Sequence, residues 1–243
     1  MSLRFLALEI RRVQRSPRFL IFTVAFPVLL FLLYVSIFGG NGQPGMIATL
    51  MVGMTSFGAM TSALFVGPRV ATERQAGWQR QLRLTPLSGA GYLTAKAATG
   101  LALALAPVIL VPLVGALAEG VSLNLGSWLR VTLGVWLAAI PFALLGLVIG
   151  QIGTADSVQP ITQLVMLPMA LVGGIFIPID AMPEWLLQVA HVLPSYWMGQ
   201  IGRGAVTTEL SASLGEAVLW LGVWTVVLGI VVVRRYRRDS ARV

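Results

Sequence analysis

The sequence predicts an all-α integral membrane protein. The expected elements are an N-terminal interfacial amphipathic helix, six transmembrane helices, a cytoplasmic helix between spans 2 and 3, and outer re-entrant helices between spans 5 and 6. Three observations predict it. The chain is 57% hydrophobic and 11% charged, with a mean hydropathy of +0.85, whereas soluble domains are about a quarter charged. Six apolar runs come close to or exceed the ~20 residues that a helix needs to cross a bilayer. Of the 17 basic residues, 15 fall in three segments that share one face when the runs number six.

The first segment, 1–18, carries Arg4, Arg11, Arg12, Arg15 and Arg18. Leu3, Leu6, Ile10 and Val13 recur at helical spacing, while Arg4, Arg11 and Arg15 face mostly elsewhere. That pattern is an amphipathic helix lying in the membrane interface. It serves as an anchor for anionic headgroups or as a mechanical elbow between the spans and a cytoplasmic partner. It has no apolar core of its own and no cleavage site follows, so it is not read as a signal peptide.

The apolar runs are 19–38, 46–67, 92–118, 127–150, 160–177 and 214–233. The fifth is near the lower length limit and is followed by Pro178 and Pro183. Orientation follows from the excess of basic residues on the cytoplasmic side of membrane proteins. Besides the N-terminal arginines, the loop after run 2 holds Arg69, Arg74, Arg80 and Arg83, with Lys96 just inside the next run. Arg234, Arg235, Arg237, Arg238 and Arg242 lie in or near the tail 234–243. Only Arg130 and Arg203 fall opposite. Both termini are therefore expected in the cytoplasm.

The segment 71–88, ATERQAGWQRQLRLTPLS, is polar, arginine-rich and of helical length between two apolar runs. The loop it belongs to, 68–91, lies on the cytoplasmic face. A short basic helix held there is what a soluble partner needs in order to push on the spans. The outer segment 178–213 holds Trp185, Leu186, Leu187, Tyr196 and Trp197, and is broken by Pro183 and Pro194. It is too apolar for a free loop and too broken for a span. Short helices dipping into the outer leaflet fit it, with Trp and Tyr at headgroup level. Non-helical backbone at that depth must be covered by protein or line a wet cavity.

Several function classes are excluded. The net charge of +8 lies at membrane boundaries and so gives no nucleic-acid footprint. There is no cysteine and one histidine, His191, which argues against a metal centre. No phosphate-binding loop of the form G-x-x-x-x-G-K-[ST] occurs, and Lys96 is the single lysine. Neither a G-x-S-x-G elbow nor H-E-x-x-H is present. None of the nine acidic residues falls mid-span, whereas proton- or sodium-driven carriers keep ionisable groups there. An energy-independent channel or scaffold could share six spans and stays as an alternative, but it would not need a basic helical loop. A membrane enzyme would need polar groups converging at one depth. Small residues such as Gly53, Gly58, Gly146 and Gly150 permit close helix packing.

The loop reads Glu73-Arg74-Gln75-Ala76-Gly77 and then Leu82-Arg83-Leu84-Thr85-Pro86-Leu87-Ser88. It resembles the E-R-E-x-G … L-x-x-T-P-L-S signature of the membrane subunits of type 2 ABC exporters, with Gln75 in place of a usual acid. The outer segment carries Gly174, Phe176 and Pro178, then Pro183 and Trp185, then Pro194 and Tyr196, and finally Arg203. It resembles the same family's second signature, with the tyrosine two residues after Pro194 rather than three. The resemblance covers essentially the whole chain.

The resemblance implies a permease that binds no cofactor itself and is driven by two cytoplasmic ABC ATPase subunits, which hold ATP and Mg. It implies pairing with a second copy or a homologous permease in a bacterial inner membrane. The segment 71–88 would be the coupling helix, with Glu73 and Arg74 making polar contacts to the ATPase. Gly77 would allow close approach, and Leu84, Thr85 and Pro86 would lead into the next span. Substrate would lie between the two copies, with Met54, Phe57, Met166 and Phe176 as apolar candidates, although core packing also explains each. A hydrophobic or amphipathic cargo, drug or lipid, suits a pathway without midplane charge. A polysaccharide or glycolipid is the alternative.

Overall fold

The computed structural model describes residues 21–39, 45–78, 81, 88–177, 179, 182–207 and 213–241. The expected elbow helix 1–18, the residues Leu84, Thr85, Pro86 and Pro178, and Arg242 of the tail lie outside them. Every regular element among the described residues is helical. A π-helical turn, Ile21–Ala25, leads into α1 (Phe26–Phe38). α2 (Met46–Leu64) continues through Phe65 into α3 (Val66–Gln75), and α4 spans Gly89–Ala118. α5 (Leu125–Leu129), a π-helical turn (Arg130–Gly134), α6 (Val135–Ala138) and α7 (Ile140–Ile152) follow one another end to end. The rest are α8 (Val158–Val172), α9 (Glu184–Val192), α10 (Pro194–Arg203) and α11 (Leu214–Ala241).

Four helical stretches among the described residues are long and apolar enough to cross a membrane: Met46–Gln75, Gly89–Ala118, Leu125–Ile152 and Leu214–Arg238. They match runs 2, 3, 4 and 6. The first and fifth runs form shorter apolar helices, Thr23–Phe38 and Val158–Val172. The 19-residue α2 is the central element, with 83% of its most apolar window buried. Its small side chains explain that position. Lipid tails are as apolar as leucine, so helices in a bilayer associate through close packing rather than through hydrophobic exclusion. A Cβ added at Gly58 would stand 2.4 Å from Pro107 Cβ and 3.3 Å from Pro27 Cγ. α1, α2 and α4 therefore meet where α2 has no side chain.

Several hydroxyl groups in this interior are returned to the backbone one turn earlier. Thr55 donates to the Met51 carbonyl, Ser62 to Gly58, Thr99 to Ala95 and Thr162 to Val158, at 2.7–2.8 Å. An unpaired hydroxyl away from water is costly, and this local bond removes the cost without a tertiary partner. Two short helices, α9 and α10, occupy the segment expected to form them. α10 is buried from Pro194 to Gly202 and packs on α2, α6 and α11. α9 buries only Ala190.

α3 and α7 cross backbone to backbone. A Cβ on Gly67 would lie 2.6 Å from the Gly146 carbonyl oxygen, and one on Gly150 would lie 2.5 Å from the Gly67 carbonyl oxygen. Gly146 and Gly150 form a G-x-x-x-G pair, and Gly67 faces it. This crossing sets the position of Glu73 and Arg74, two turns further along α3.

Candidate functional site

α2–α3 and α4 run to the same end of the molecule, and the 76–88 segment joins them there. α3 stops because Gly77 turns the chain with φ +70°, a left-handed value that side chains strain to adopt. The Ala76 amide donates to Thr72 at 3.0 Å and the Gly77 amide to Arg74 at 3.1 Å. Nothing among the described residues lies within 4 Å of a Cβ at Gly77, so the backbone turn is what the glycine serves. At the other side of the segment, Ser88 caps α4 by accepting from the Gly91 amide at 3.1 Å.

Polar groups converge just inside this loop. The Lys96 side chain on α4 is 1% exposed, and its ammonium donates to Glu73 Oε1 at 2.5 Å. The Tyr92 hydroxyl donates to Glu73 Oε2 at 2.8 Å. The ammonium also lies 5.6 Å from the Tyr92 ring centroid. Leaving either charge alone here would be costly, so each is held by the other. Tyr92 stacks on Tyr236 of α11, with centroids 6.2 Å apart. Gly89 allows that approach, because a Cβ there would meet Tyr236 at 2.1 Å.

Arg74 completes the arrangement from the opposite side of α3. Its Nη1 donates to the carbonyls of Gly150 (3.1 Å) and Gln151. These belong to the last turn of α7, where helix carbonyls have no intrahelical partner and cations are favoured. Gln151 Nε2 in turn donates to the Val232 carbonyl of α11 at 3.3 Å. The contacts close a ring: α3 to α4 through Glu73, α4 to α11 through the two tyrosines, α11 to α7 through Gln151, and α7 back to α3 through Arg74. Glu73 and Arg74, expected as contacts to a partner, are both engaged inside the chain. Among the described residues of 72–81, Thr72, Gln75, Ala76, Trp78 and Gln81 are exposed.

The opposite end gathers the second group of expected residues. Gly174 turns with φ +74°, and its carbonyl accepts from Arg203 Nη1 at 2.8 Å. Arg130 Nη1 donates to the Gly204 carbonyl at 3.0 Å, and the Ser127 hydroxyl to Ala205 at 2.7 Å. The two arginines set apart by the charge pattern thus brace the same corner. Phe176 packs on Phe57 with centroids 4.8 Å apart. Tyr196 is buried against Trp197 and His191. Pro183 precedes α9 and Pro194 opens α10, positions where a missing amide costs nothing. Trp185 is 66% exposed. Met54, Phe57 and Met166 are buried within the chain, Phe57 and Met166 in one apolar cluster and Met54 in another with Phe31 and Val111.

Residues 4–207 match the family described as ABC-2 type transporter. The chain belongs to that family. A Bacillus subtilis (strain 168) protein named "Putative transport permease YvfS" is 28% identical over 194 residues, covering 79% of each chain. As an ABC-2 family member with membrane-spanning helices, the chain is a multi-pass membrane subunit of a transporter, and membership implies an ABC ATPase as its partner. The matched stretch contains both polar clusters except the α11 residues Val232 and Tyr236.

The sequence reading missed the ring as a unit. Lys96 stood out as the single lysine, and Glu73 is the nearest acid before it along the chain. An ionisable residue in an apolar run demands a partner, and that demand was the signal available. Tyr92, Gln151 and Tyr236 carried none, because only the fold brings them together.

Proposed function

We propose that this chain is the membrane subunit of an ATP-driven exporter, and that the segment 71–88 is its coupling element, with the partner contacts in the part from Ala76 to Ser88 that follows Glu73 and Arg74. The observation that carries this reading is the fastening of the two helices that border that segment. Both helices that border it are fastened to each other by Glu73, Lys96 and Tyr92. A force applied to the segment enters two membrane helices together. The basic bias supports a cytoplasmic position for this end and for both termini. It also supports six crossings, with α1 and α8 as the two shorter ones.

Pairing with a second permease copy and with two ATPase subunits follows the family's architecture. The cargo is a hydrophobic or amphipathic molecule, a drug or lipid. Large apolar side chains cover the outer faces of α1, α4 and α11, including Leu29, Leu33, Ile109, Leu113, Val226 and Ile230. Such surfaces border lipid, so an amphiphile partitioned into the bilayer reaches the protein without a polar entry path.

The test is affinity purification of the tagged chain from mild detergent, with co-purifying P-loop ATPases identified by mass spectrometry. Replacing residues 76–88 with a glycine-serine linker is expected to abolish ATPase recovery while leaving the permease in the membrane. Undiminished recovery after that replacement would assign the dock to another surface.

A further inference from the structure

We infer that Lys96 and Glu73 are positioning residues that lock the four long helices into one body at the loop end. This rests on the coupling reading above for its purpose, but not for its geometry. The ring ties α3, α4, α7 and α11, each of which belongs to one of the four long apolar stretches. Each tie adds a directional polar contact to helices that otherwise meet through apolar packing, whose gain over contact with lipid tails is modest. A polar bond in a water-poor site resists displacement, since breaking it strands a charge.

Lys96 is the keystone by burial. Its ammonium is enclosed, and among its contacts are the only acid within reach on α3 and the ring of Tyr92, which passes the connection to Tyr236. Glu73 accepts from both Lys96 and Tyr92, so it fixes α3 on α4 at two atoms. Without this pair, a push on the loop would bend α3 away from α4 instead of carrying both. ATP hydrolysis would then proceed with the helices left behind.

The chain contains no cysteine, so engineered pairs can be spin-labelled without background. One pair at the loop end, Gln75→Cys with Arg235→Cys, reads the ring in the permease alone, reconstituted in liposomes. Both positions are exposed. Lys96→Met is expected to broaden that distance distribution at least twofold. A second pair at the opposite end, Leu125→Cys with Ser213→Cys, reads the switch driven by ATP and vanadate in the permease–ATPase complex. Wild type is expected to shift there. Lys96→Met is expected to lose the shift while ATPase recovery and hydrolysis stay within twofold of wild type.

Because Lys96→Met strands Glu73, two further variants guard against a folding failure. Glu73→Gln with Lys96→Met removes both charges, and Tyr92→Phe deletes one hydroxyl. Both are expected to broaden the loop-end distribution, the second by a smaller factor. A wild-type width in all three variants overturns the inference even when the ATPase docks at the loop. A broadened width without any ATPase recovery from wild type supports the ring and refutes the coupling reading. Parallel loss of ATPase recovery and of the shift in a folded variant also overturns it, because the pair then only maintains the docking surface.

Discussion

Gly150→Ala should destabilise the protein, and the geometry gives the size of the effect. The added carbon would stand 2.5 Å from the Gly67 carbonyl oxygen and 2.9 Å from Val70 Cβ. Carbon and carbonyl oxygen settle at about 3.3–3.6 Å even when attractive, so α3 must retreat by about 0.8 Å. Both near atoms are backbone or Cβ, so no side-chain rotation relieves the contact. Overpacking of this kind costs about 1–3 kcal/mol. The same retreat lengthens the 3.1 Å bond from Arg74 to the Gly150 carbonyl beyond bonding distance. A hydrogen bond to a charged group contributes about 1.5–3 kcal/mol. Against these, alanine gains about 1 kcal/mol over glycine as a helix former. The net expectation is about 1.5–5 kcal/mol of destabilisation. Gly222→Ala and Gly229→Ala are the controls, since nothing lies within 4 Å of a Cβ at either. They should be neutral or slightly stabilising. Equilibrium unfolding in mixed detergent micelles measures all three. If Gly150→Ala unfolds at the same midpoint as the controls, the close crossing of α3 and α7 is wrong.

Four other outcomes are expected. Glu73→Ala with Arg74→Ala should lower stability by about 3–5 kcal/mol, because the buried Lys96 loses its carboxylate partner and α3 loses its tie to α7; a melting curve like that of wild type would place Lys96 in water. Trp78→Ala should leave permease stability unchanged but weaken ATPase binding by roughly 30-fold or more, the effect of losing an aromatic anchor worth 2 kcal/mol or above; a titration with unchanged affinity would remove Trp78, which is 41% exposed, from the dock. The purified chain alone should hydrolyse no ATP, and hydrolysis should appear when the ATPase subunit is added; turnover by the lone chain would contradict the assignment of energy supply to a partner. A reporter fused after Val243 should remain cytoplasmic while one inserted in 178–213 is exported, as the distribution of basic residues requires.

The all-helical class and the four longest helices were legible because length and apolar composition decide them locally. The shorter α1 and α8 were harder. Run 5 was expected over 160–177, but its helix ends at Val172, where Gly173 and then Gly174, with φ +74°, turn the chain. The two short helices of 184–203 were readable from Pro183 and Pro194, which each open one. The loop motif was legible, but the direction in which Glu73 and Arg74 point was not. Successive helix residues lie about 100° apart, so on α3 one residue meets α4 and the next meets α7. Which neighbour lies on which side is a tertiary fact. The same holds for Gly67: its lack of a side chain mattered only once G-x-x-x-G of α7 was laid across it.

The distribution of polar ties also suggests where motion is permitted. α1 and α8 contribute no residue to the ring, although both pack on the α2–α4 pair or on α7. α1 meets its neighbours at Pro27, beside the π-helical turn Ile21–Ala25, where the regular hydrogen-bond ladder is already interrupted. α8 carries Pro168 in its middle and reaches α2 through the Thr61 hydroxyl and the Met166 sulfur, 3.5 Å apart. These are soft contacts compared with a carboxylate held by an ammonium. A body of four fastened helices, with two others seated by apolar and weak polar contacts, can tilt at its loop end without breaking a buried charge pair. The helices left free to slide are then α1 and α8, and Phe57, which touches both Phe26 and Phe176, is the side chain across which that sliding would be felt.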